Sequence, residues 1–227
     1  PERIIHALET VKVCDPACGS GAYLVGMMQE LLELFACLMS GSGKTGEAKY
    51  HRKLKIIQNN LYGVDIDPIA VNLARLRLWL SVAVDYEGDS PPPLPNLDFK
   101  IETGDSLTGP APGHATNMDL FHYTYFAELK RLKDEFARPM GQEERDRLRQ
   151  QIEEKEREIA HWLKHKGEKV PGFDWQVRFA EVFFATSERT STAGTVGTGF
   201  DIIVANPPYV RSGSIQKELG GDYKKRL

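Results

Sequence analysis

The sequence has few cysteines, no long apolar run and no excess of basic residues, and each absence excludes a class of protein. Its three cysteines among 227 residues cannot all pair and are not spaced as zinc ligands, which argues against a disulfide-rich secreted domain and a zinc site. No apolar stretch is long enough to cross a bilayer. The 29 basic residues are outnumbered by 32 acidic ones, so composition gives no case for nucleic-acid binding. We expect a cytoplasmic protein whose nucleic-acid partner, if it has one, is recognised by a local site.

Short β-branched runs alternate with helical or loop sequence, which is the pattern of an open α/β sheet. The predicted strands are residues 11–14, 61–66, 99–102 and 200–205. Each run ends in polar, turn-forming residues, and the last stops at two prolines that cannot donate a ladder hydrogen bond. The sequence therefore predicts the α/β class with a Rossmann-like sheet.

Two helices are predicted to pack on this sheet. Apolar residues at helical spacing predict the first over residues 23–38. The second begins at Pro68 after the capping residue Asp67 and extends to about residue 84. We expect its apolar face to include three leucines, Leu73, Leu76 and Leu80.

About ninety residues separate the third strand from the fourth. Residues 119–166 predict a charged helical hairpin, interrupted near Pro139 and Gly141, that is solvated apart from a sparse apolar stripe. The stripe includes Leu129, Leu132, Leu148, Ile152 and Ile159. A DNA-contacting arm is the alternative, although the segment lacks a basic excess. Residues 186–199, rich in Thr, Ser and Gly, predict a surface loop.

The turn after the first strand, DPACGSG, has the composition of a ligand-binding loop. Its glycines, Gly19 and Gly21, allow a ligand to approach the backbone closely, and the following helix begins with free amides. Asp15 opens the turn with a negative charge. Ligands of open α/β sheets bind beyond the carboxyl ends of the strands, where this turn lies.

The next two strand ends complete a pocket shaped for adenosine. Asp65, at the end of the second strand, can accept hydrogen bonds from both hydroxyls of a ribose. Ile66 can cover one face of a base, and Asp105, after the third strand, can accept from the exocyclic amine of that base. A dinucleotide fits poorly, because the turn is not GxGxxG and Asp15 would repel a pyrophosphate. A sulfonium with an amino-acid tail fits better.

The strongest signal is NPPY, Asn206 to Tyr209, directly after the fourth strand. An amine conjugated to an aromatic ring is a poor nucleophile, and acceptors around its hydrogens favour the reactive pyramidal form. Asn206 offers a side-chain carbonyl, and Pro207 offers a backbone carbonyl in a segment that Pro208 stiffens. Tyr209 can stack on the ring of the amine. This chemistry needs neither a metal nor a covalent nucleophile.

These four segments, in this order, resemble the amino-methyltransferases that use S-adenosylmethionine, and specifically the adenine-specific DNA methyltransferases of restriction-modification systems. The order of cofactor motif before catalytic motif is that of the gamma group. The segment 173–184 ahead of GFDIIVANPPYV is similar to the large type IIG enzymes. The resemblance covers residues 1–110 and 170–211.

The resemblance implies a role for each motif. Asp15, Ala17, Gly19 and Gly21 would hold the methionine part of S-adenosylmethionine. Asp65 would hold its ribose, and Ile66 and Asp105 its adenine. The target adenine would contact the catalytic loop, formed by Asn206, Pro207, Pro208 and Tyr209.

The resemblance also implies a division of the chain and parts outside it. We divide the chain into a cofactor-binding half, 1–118, a helical insertion, 119–168, and a catalytic-loop segment of the same domain, 169–227. The family's sheet has seven strands, of which four are found here, and the chain begins at Pro1 rather than methionine. We expect a piece of a longer enzyme, inactive alone, that reaches duplex DNA through a target-recognition domain outside it.

The motifs also fit alternative functions. Enzymes with NPPY also methylate RNA amines or a protein glutamine, and a non-catalytic cofactor-binding module is a further alternative. GSGKT at 41–45 lacks the strand and first glycine of a phosphate-binding loop. His161 and His165 lack the glutamate of a zinc protease motif, and we interpret them as a surface pair. Trp175 and Phe179 are predicted to be core residues.

Overall fold

A computed structural model describes most of the chain. The described residues are 2–39, 49–88, 96–109, 120–138, 140–163, 172–183 and 199–207. No helix in these ranges is both long and apolar enough to cross a membrane.

The strands of the described residues form one parallel sheet. They are β1 (Val13–Asp15), β2 (Leu61–Asp65), β3 (Ile101–Thr103) and β4 (Ile202–Ile203), in the order β3-β2-β1-β4. The chain proceeds from β1 to β2 and β3 on one side and returns to the other side at β4. Such a reversal beside the first strand leaves a crevice at the carboxyl edge of the sheet. The predicted α/β class is confirmed, but each strand is shorter than predicted, and β1 and β3 end one residue later than predicted.

Helices cover both faces of the sheet. In the described residues they are α1 (Glu2–Thr10), α2 (Ala22–Met39), α3 (Lys49–Asn59), α4 (Pro68–Ala83), α5 (Leu120–Phe136), α6 (Gln142–Leu163), α7 (Trp175–Arg178) and α8 (Ala180–Phe183). The helices α2 and α4 match the prediction. The sequence pattern did not predict α3, which buries only three apolar side chains, Tyr50, Ile56 and Ile57, in a mostly polar helix.

Side chains alternate across the sheet, so each face has its own core. On one face Val13 and Leu61 pack with α2, α3 and α4. On the other face Cys14 and Tyr62 lie under the aromatic residues of the segment 172–183. This alternation is the period-two pattern of a strand buried on both sides.

The buried face of α4 differs from the prediction. Leu73, Leu76 and Leu80 are each nearly half exposed. The helix instead buries Val71, Ala74, Leu78 and Val82. The reason is close packing against the turn that precedes α2, since a Cβ added at Gly21 would lie 2.9 Å from the Ala74 Cβ, and a leucine at position 74 would not fit.

The inserted hairpin is present as α5 and α6, but one side of it is buried rather than solvated. All five stripe residues, from Leu129 to Ile159, are buried and pack with Phe99 and Val177 of the core. Lys133 of α5 and Glu156 of α6 are buried with them. The insertion is therefore part of the packed fold, while its limits as a separate domain stay a prediction.

Replacing Gly21 by alanine should lower the free energy of unfolding by about 1–3 kcal/mol, because its φ of +81° is in the left-handed region and its Cβ would meet Ala74. Gly26 is the matched control. It lies inside α2 with nothing near its Cβ position, so Gly26→Ala should gain about 0.5–1 kcal/mol. Thermal unfolding of both variants measures the difference, and equal effects would contradict the packing described here.

Two leucines of α4 test which face of the helix is buried. Leu78 is fully buried, so Leu78→Ala should cost about 2–5 kcal/mol of unfolding free energy. Leu76 is 45% exposed, so Leu76→Ala should cost less than half as much. Denaturant unfolding of the two variants compares these costs. A larger loss of unfolding free energy in Leu76→Ala than in Leu78→Ala would support the buried face predicted from the sequence.

Candidate functional site

The β1 loop, residues 15–21, is folded by its own polar groups. Oδ1 of Asp15 accepts a hydrogen bond from the Ala17 amide at 3.1 Å. The Cys18 amide donates to the carbonyl of Val64 on the neighbouring strand at 3.0 Å. Gly19 and Gly21 have φ of +50° and +81°, a conformation that side chains disfavour. These bonds turn the backbone tightly at the start of α2.

The β2 loop, residues 65–67, is tied to the β1 loop through one carboxylate. Oδ2 of Asp65 accepts from the Gly19 amide at 2.7 Å, and Oδ1 accepts from the Asp67 amide at 3.0 Å. Each carboxylate oxygen has two lone pairs, so capacity remains for the hydroxyls of a ligand. Ile66 beside it is 60% exposed. The two loops therefore form one wall.

The β3 loop, residues 104–109, continues this wall. The Gly104 amide donates to the Asp65 carbonyl at 2.9 Å. The Asp105 carboxylate accepts from the Leu107 amide at 3.1 Å and from the Thr108 hydroxyl at 2.6 Å. These bonds fix the orientation of the Asp105 carboxylate at the same edge of the sheet.

The residues after β4 lie beside β1. The Val204 amide donates to the Cys14 carbonyl at 2.9 Å, and Ile203 pairs with Cys14. Asn206 and Pro207 follow in exposed backbone, three and four residues beyond that pair. Both therefore lie at the carboxyl edge that also carries Asp15. Pro208 and Tyr209 lie outside the described residues.

The chemistry of Asp15 suits a cation. Its side chain is fully buried, and Oδ2 has no hydrogen-bond partner. Burial raises its pKa above the ordinary 3.8, and the nearby charge of Asp65 acts in the same direction. A positive group placed beside Oδ2 would compensate the desolvated charge.

The thiols of the β1 strand and loop are not reactive. Burial and the charge of Asp15 raise the pKa of Cys18 to about 12, and the same two causes raise the pKa of Cys14. Both thiols therefore stay protonated at neutral pH and are poor nucleophiles. In the described part of the chain no three His, Cys, Asp or Glu side chains are grouped to hold a metal. His161 is exposed, whereas His165 and GSGKT lie outside the described ranges.

The sequence pattern did not predict the contacts that support the β3 loop. The Phe173 amide donates to the Asp105 carbonyl at 3.0 Å, and Nε1 of Trp175 donates to the Ser106 carbonyl at 3.4 Å. Phe179 is buried as predicted, and Trp175 is partly buried against it. Trp175 and Ser106 are 69 residues apart, so no local pattern indicates their contact. The aromatic composition around Trp175 is the one signal in the sequence.

Two family models match the chain. The model described as Eco57I restriction-modification methylase matches residues 59–227, which is more than half of the chain. The model described as the MmeI DNA-methyltransferase domain matches residues 2–89.

Three curated relatives are similar to parts of the chain. A protein of Methanocaldococcus jannaschii described as a type II restriction enzyme and methyltransferase is 39% identical over 109 residues, 46% of this chain and 9% of the relative. The adenine-specific methyltransferase PglX of Streptomyces coelicolor is 36% identical over 73 residues, 32% of this chain and 6% of the relative. DNA methyltransferase A of Bacillus subtilis is 30% identical over 81 residues, 35% of this chain and 9% of the relative.

The chain thus spans less than a tenth of the length of each of these relatives. The resemblance predicted from the four motifs is confirmed by both family models and by the restriction-modification relatives. The match over residues 59–227 agrees with the parallel sheet and with the loops at its carboxyl edge. The chain belongs to the Eco57I restriction-modification methylase family.

Proposed function

We propose that this protein transfers a methyl group from S-adenosylmethionine to the 6-amino group of an adenine in duplex DNA, as part of a type II, IIG-like restriction-modification enzyme. The observation that carries the proposal is the adjacency of β1 and β4, which brings Asn206 and Pro207 to the sheet edge that carries Asp15 and Asp65. A relative named as adenine-specific supports the choice of base.

The residues at the edge fit S-adenosylmethionine. When bound, it supplies a methyl group on a positively charged sulfur, which is a good leaving group. Asp15, with its buried and unpartnered Oδ2, would face the positive charges of the methionine part, beside Ala17 and the two loop glycines. Asp65 would accept from the ribose hydroxyls. Ile66, which is 60% exposed, would cover the cofactor adenine, and Asp105 would orient its amine.

The catalytic loop would hold the target adenine. The side-chain carbonyl of Asn206 and the backbone carbonyl of Pro207 would accept the two hydrogens of the 6-amino group and favour its pyramidal form. In this form the nitrogen lone pair would be free to accept the methyl group that bound S-adenosylmethionine would supply, and the surplus proton of the amine would leave to solvent. Tyr209, next to Pro208, would stack on the extruded base and offset part of the cost of unpairing it.

Partners and location follow from the same proposal. The chain has a formal charge of -3, so duplex DNA would be reached mainly through a target-recognition domain outside this sequence. We place the protein in the cytoplasm, a proposal supported by three cysteines that form no disulfide with one another. Transfer of tritiated methyl groups by the intact protein to DNA, RNA and a glutamine-bearing protein compares the candidate substrates. Methylation of the protein substrate alone would overturn the choice of DNA.

Replacing Asn206 by alanine should lower the rate of plasmid DNA methylation by about 100-fold or more, because one of the two acceptors for the target amine is lost. Affinity for S-adenosylmethionine should not change, since Asn206 faces the target base. Asn72→Ala, on the exposed side of α4, is the control and should leave both quantities unchanged. Wild-type methylation by the Asn206 variant would refute the catalytic assignment.

Affinity for S-adenosylmethionine should fall as the pH is lowered, because protonation removes the Asp15 charge that faces the cofactor cations. Burial raises the pKa of Asp15, so the fall should begin at a higher pH than an exposed aspartate would give. Calorimetry at neutral and mildly acidic pH measures this dependence. Asp15→Asn should bind weakly with little pH dependence, and Asp146→Asn, exposed on α6, should behave as wild type. An unchanged pH profile in Asp15→Asn would contradict the assignment.

A further inference from the structure

The β3 loop, residues 104–109, is shaped by contacts with a segment far away in sequence. Phe173 packs closely against the loop. A Cβ added at Gly104 would overlap the Phe173 ring, and a Cβ added at Gly109 would overlap the Phe173 carbonyl oxygen. Its amide also bonds the Asp105 carbonyl, and Trp175 bonds the Ser106 carbonyl. The position of the loop therefore depends on where the segment 172–183 lies.

That segment cannot hold its own position. Its helices, α7 and α8, have four residues each, too few for stability without tertiary contacts. Arg178 of α7 is held on both sides, with Nε 2.9 Å from Glu102 of β3 and Nη1 2.7 Å from Glu156 of α6.

Lys133 of α5 completes the support. Nζ of this buried lysine donates to the Arg178 carbonyl at 2.5 Å. It also lies 3.1 Å from the Glu156 carboxylate and 3.3 Å from that of Glu181 on α8. Lys100, beside β3, approaches the other oxygen of Glu181 at 3.6 Å. We name these residues the ionic cluster: Lys100, Glu102, Lys133, Glu156, Arg178 and Glu181.

The ionic cluster joins the inserted helices to α7, α8 and β3. Burying ions costs solvation free energy that pairing does not always return, so apolar residues would often stabilise such a contact as well. Ion pairs, however, require particular partners at short distance, whereas apolar side chains pack in many registers. The three cations and three carboxylates connect α5, α6, α7, α8 and β3 in a single register.

We propose that the insertion is a brace for the cofactor pocket, in which Lys133 and Glu156 act as positioning residues that fix the β3 loop through Arg178. This inference rests on the proposed function, because the β3 loop is assigned there to the cofactor adenine. A DNA-contacting role fits α6 less well, since its acidic residues outnumber its basic ones.

The test combines two variants of the ionic cluster with a control on the same helix. Lys133→Met removes the buried charge and keeps the stem, and Glu156→Gln keeps the shape of the side chain. Lys130→Met removes a lysine one turn away, whose ion pair with Asp134 is exposed. Two measurements are made in the intact protein, the affinity for S-adenosylmethionine by calorimetry and amide hydrogen exchange by mass spectrometry.

We expect both cluster variants to bind S-adenosylmethionine about tenfold more weakly, because the β3 loop is misplaced. The methylation rate at saturating cofactor should be nearly unchanged. Amides of residues 104–109 should exchange faster, whereas those of β1, β2 and the β1 loop should exchange as in wild type. Lys130→Met should match wild type in every measurement.

Three results would overturn the brace. The first is unchanged exchange at 104–109 in both cluster variants. The second is faster exchange throughout β1 and β2, which would show a general loss of stability. The third is faster exchange at 104–109 with unchanged cofactor affinity. If the wild-type protein did not bind S-adenosylmethionine, the proposed function would fail, and the insertion could not be a brace for a cofactor pocket. Amide exchange at residues 104–109 would still show whether the ionic cluster fixes the position of the β3 loop.

Discussion

The hydrogen bond from the Gly19 amide to the Asp65 carboxylate joins two loops that are 46 residues apart in the chain. It is short, 2.7 Å, and assisted by the carboxylate charge. The backbone carbonyl of the same Asp65 receives the Gly104 amide, so one residue connects the loops after three strands. The carboxyl edge of the sheet is organised around this aspartate, and the loop after β4 joins it through the pairing of β4 with β1.

Local chemistry made the edge of the sheet predictable. A turn such as DPACGSG is dictated by the backbone preferences of glycine and by the groups that its carboxylate can bond. Parallel strands then bring such turns to one edge wherever they occur in the sequence. The sheet and the placement of Asp15, Asp65 and Asp105 could be predicted for this reason. Roles of individual residues in binding and catalysis remain proposals.

In two places tertiary packing made the burial predicted from the sequence pattern wrong. In α4 the larger leucines suggested the buried face, but close approach of the β1 loop at Gly21 selects the small residue Ala74. In the insertion, Lys133 and Glu156 were indistinguishable from the solvated charges around them, because their partners outside the hairpin, Arg178 and Glu181, are contributed by α7 and α8. Burial of a charge depends on distant residues, and periodicity carries no information about it.

The pairing of β1 with β4 has a consequence for how the protein is made. Lys12, before β1, bonds Asp201, before β4, across 189 residues of chain. During translation the first three strands and the inserted helices leave the ribosome well before β4, so the cofactor side of the domain has time to collapse first. Closing so long a loop carries an entropic cost that only prior order elsewhere can reduce. Of the four described strands, β4 is thus the last to join the sheet, and Asn206 and Pro207 reach its carboxyl edge only after the ends of the other three strands.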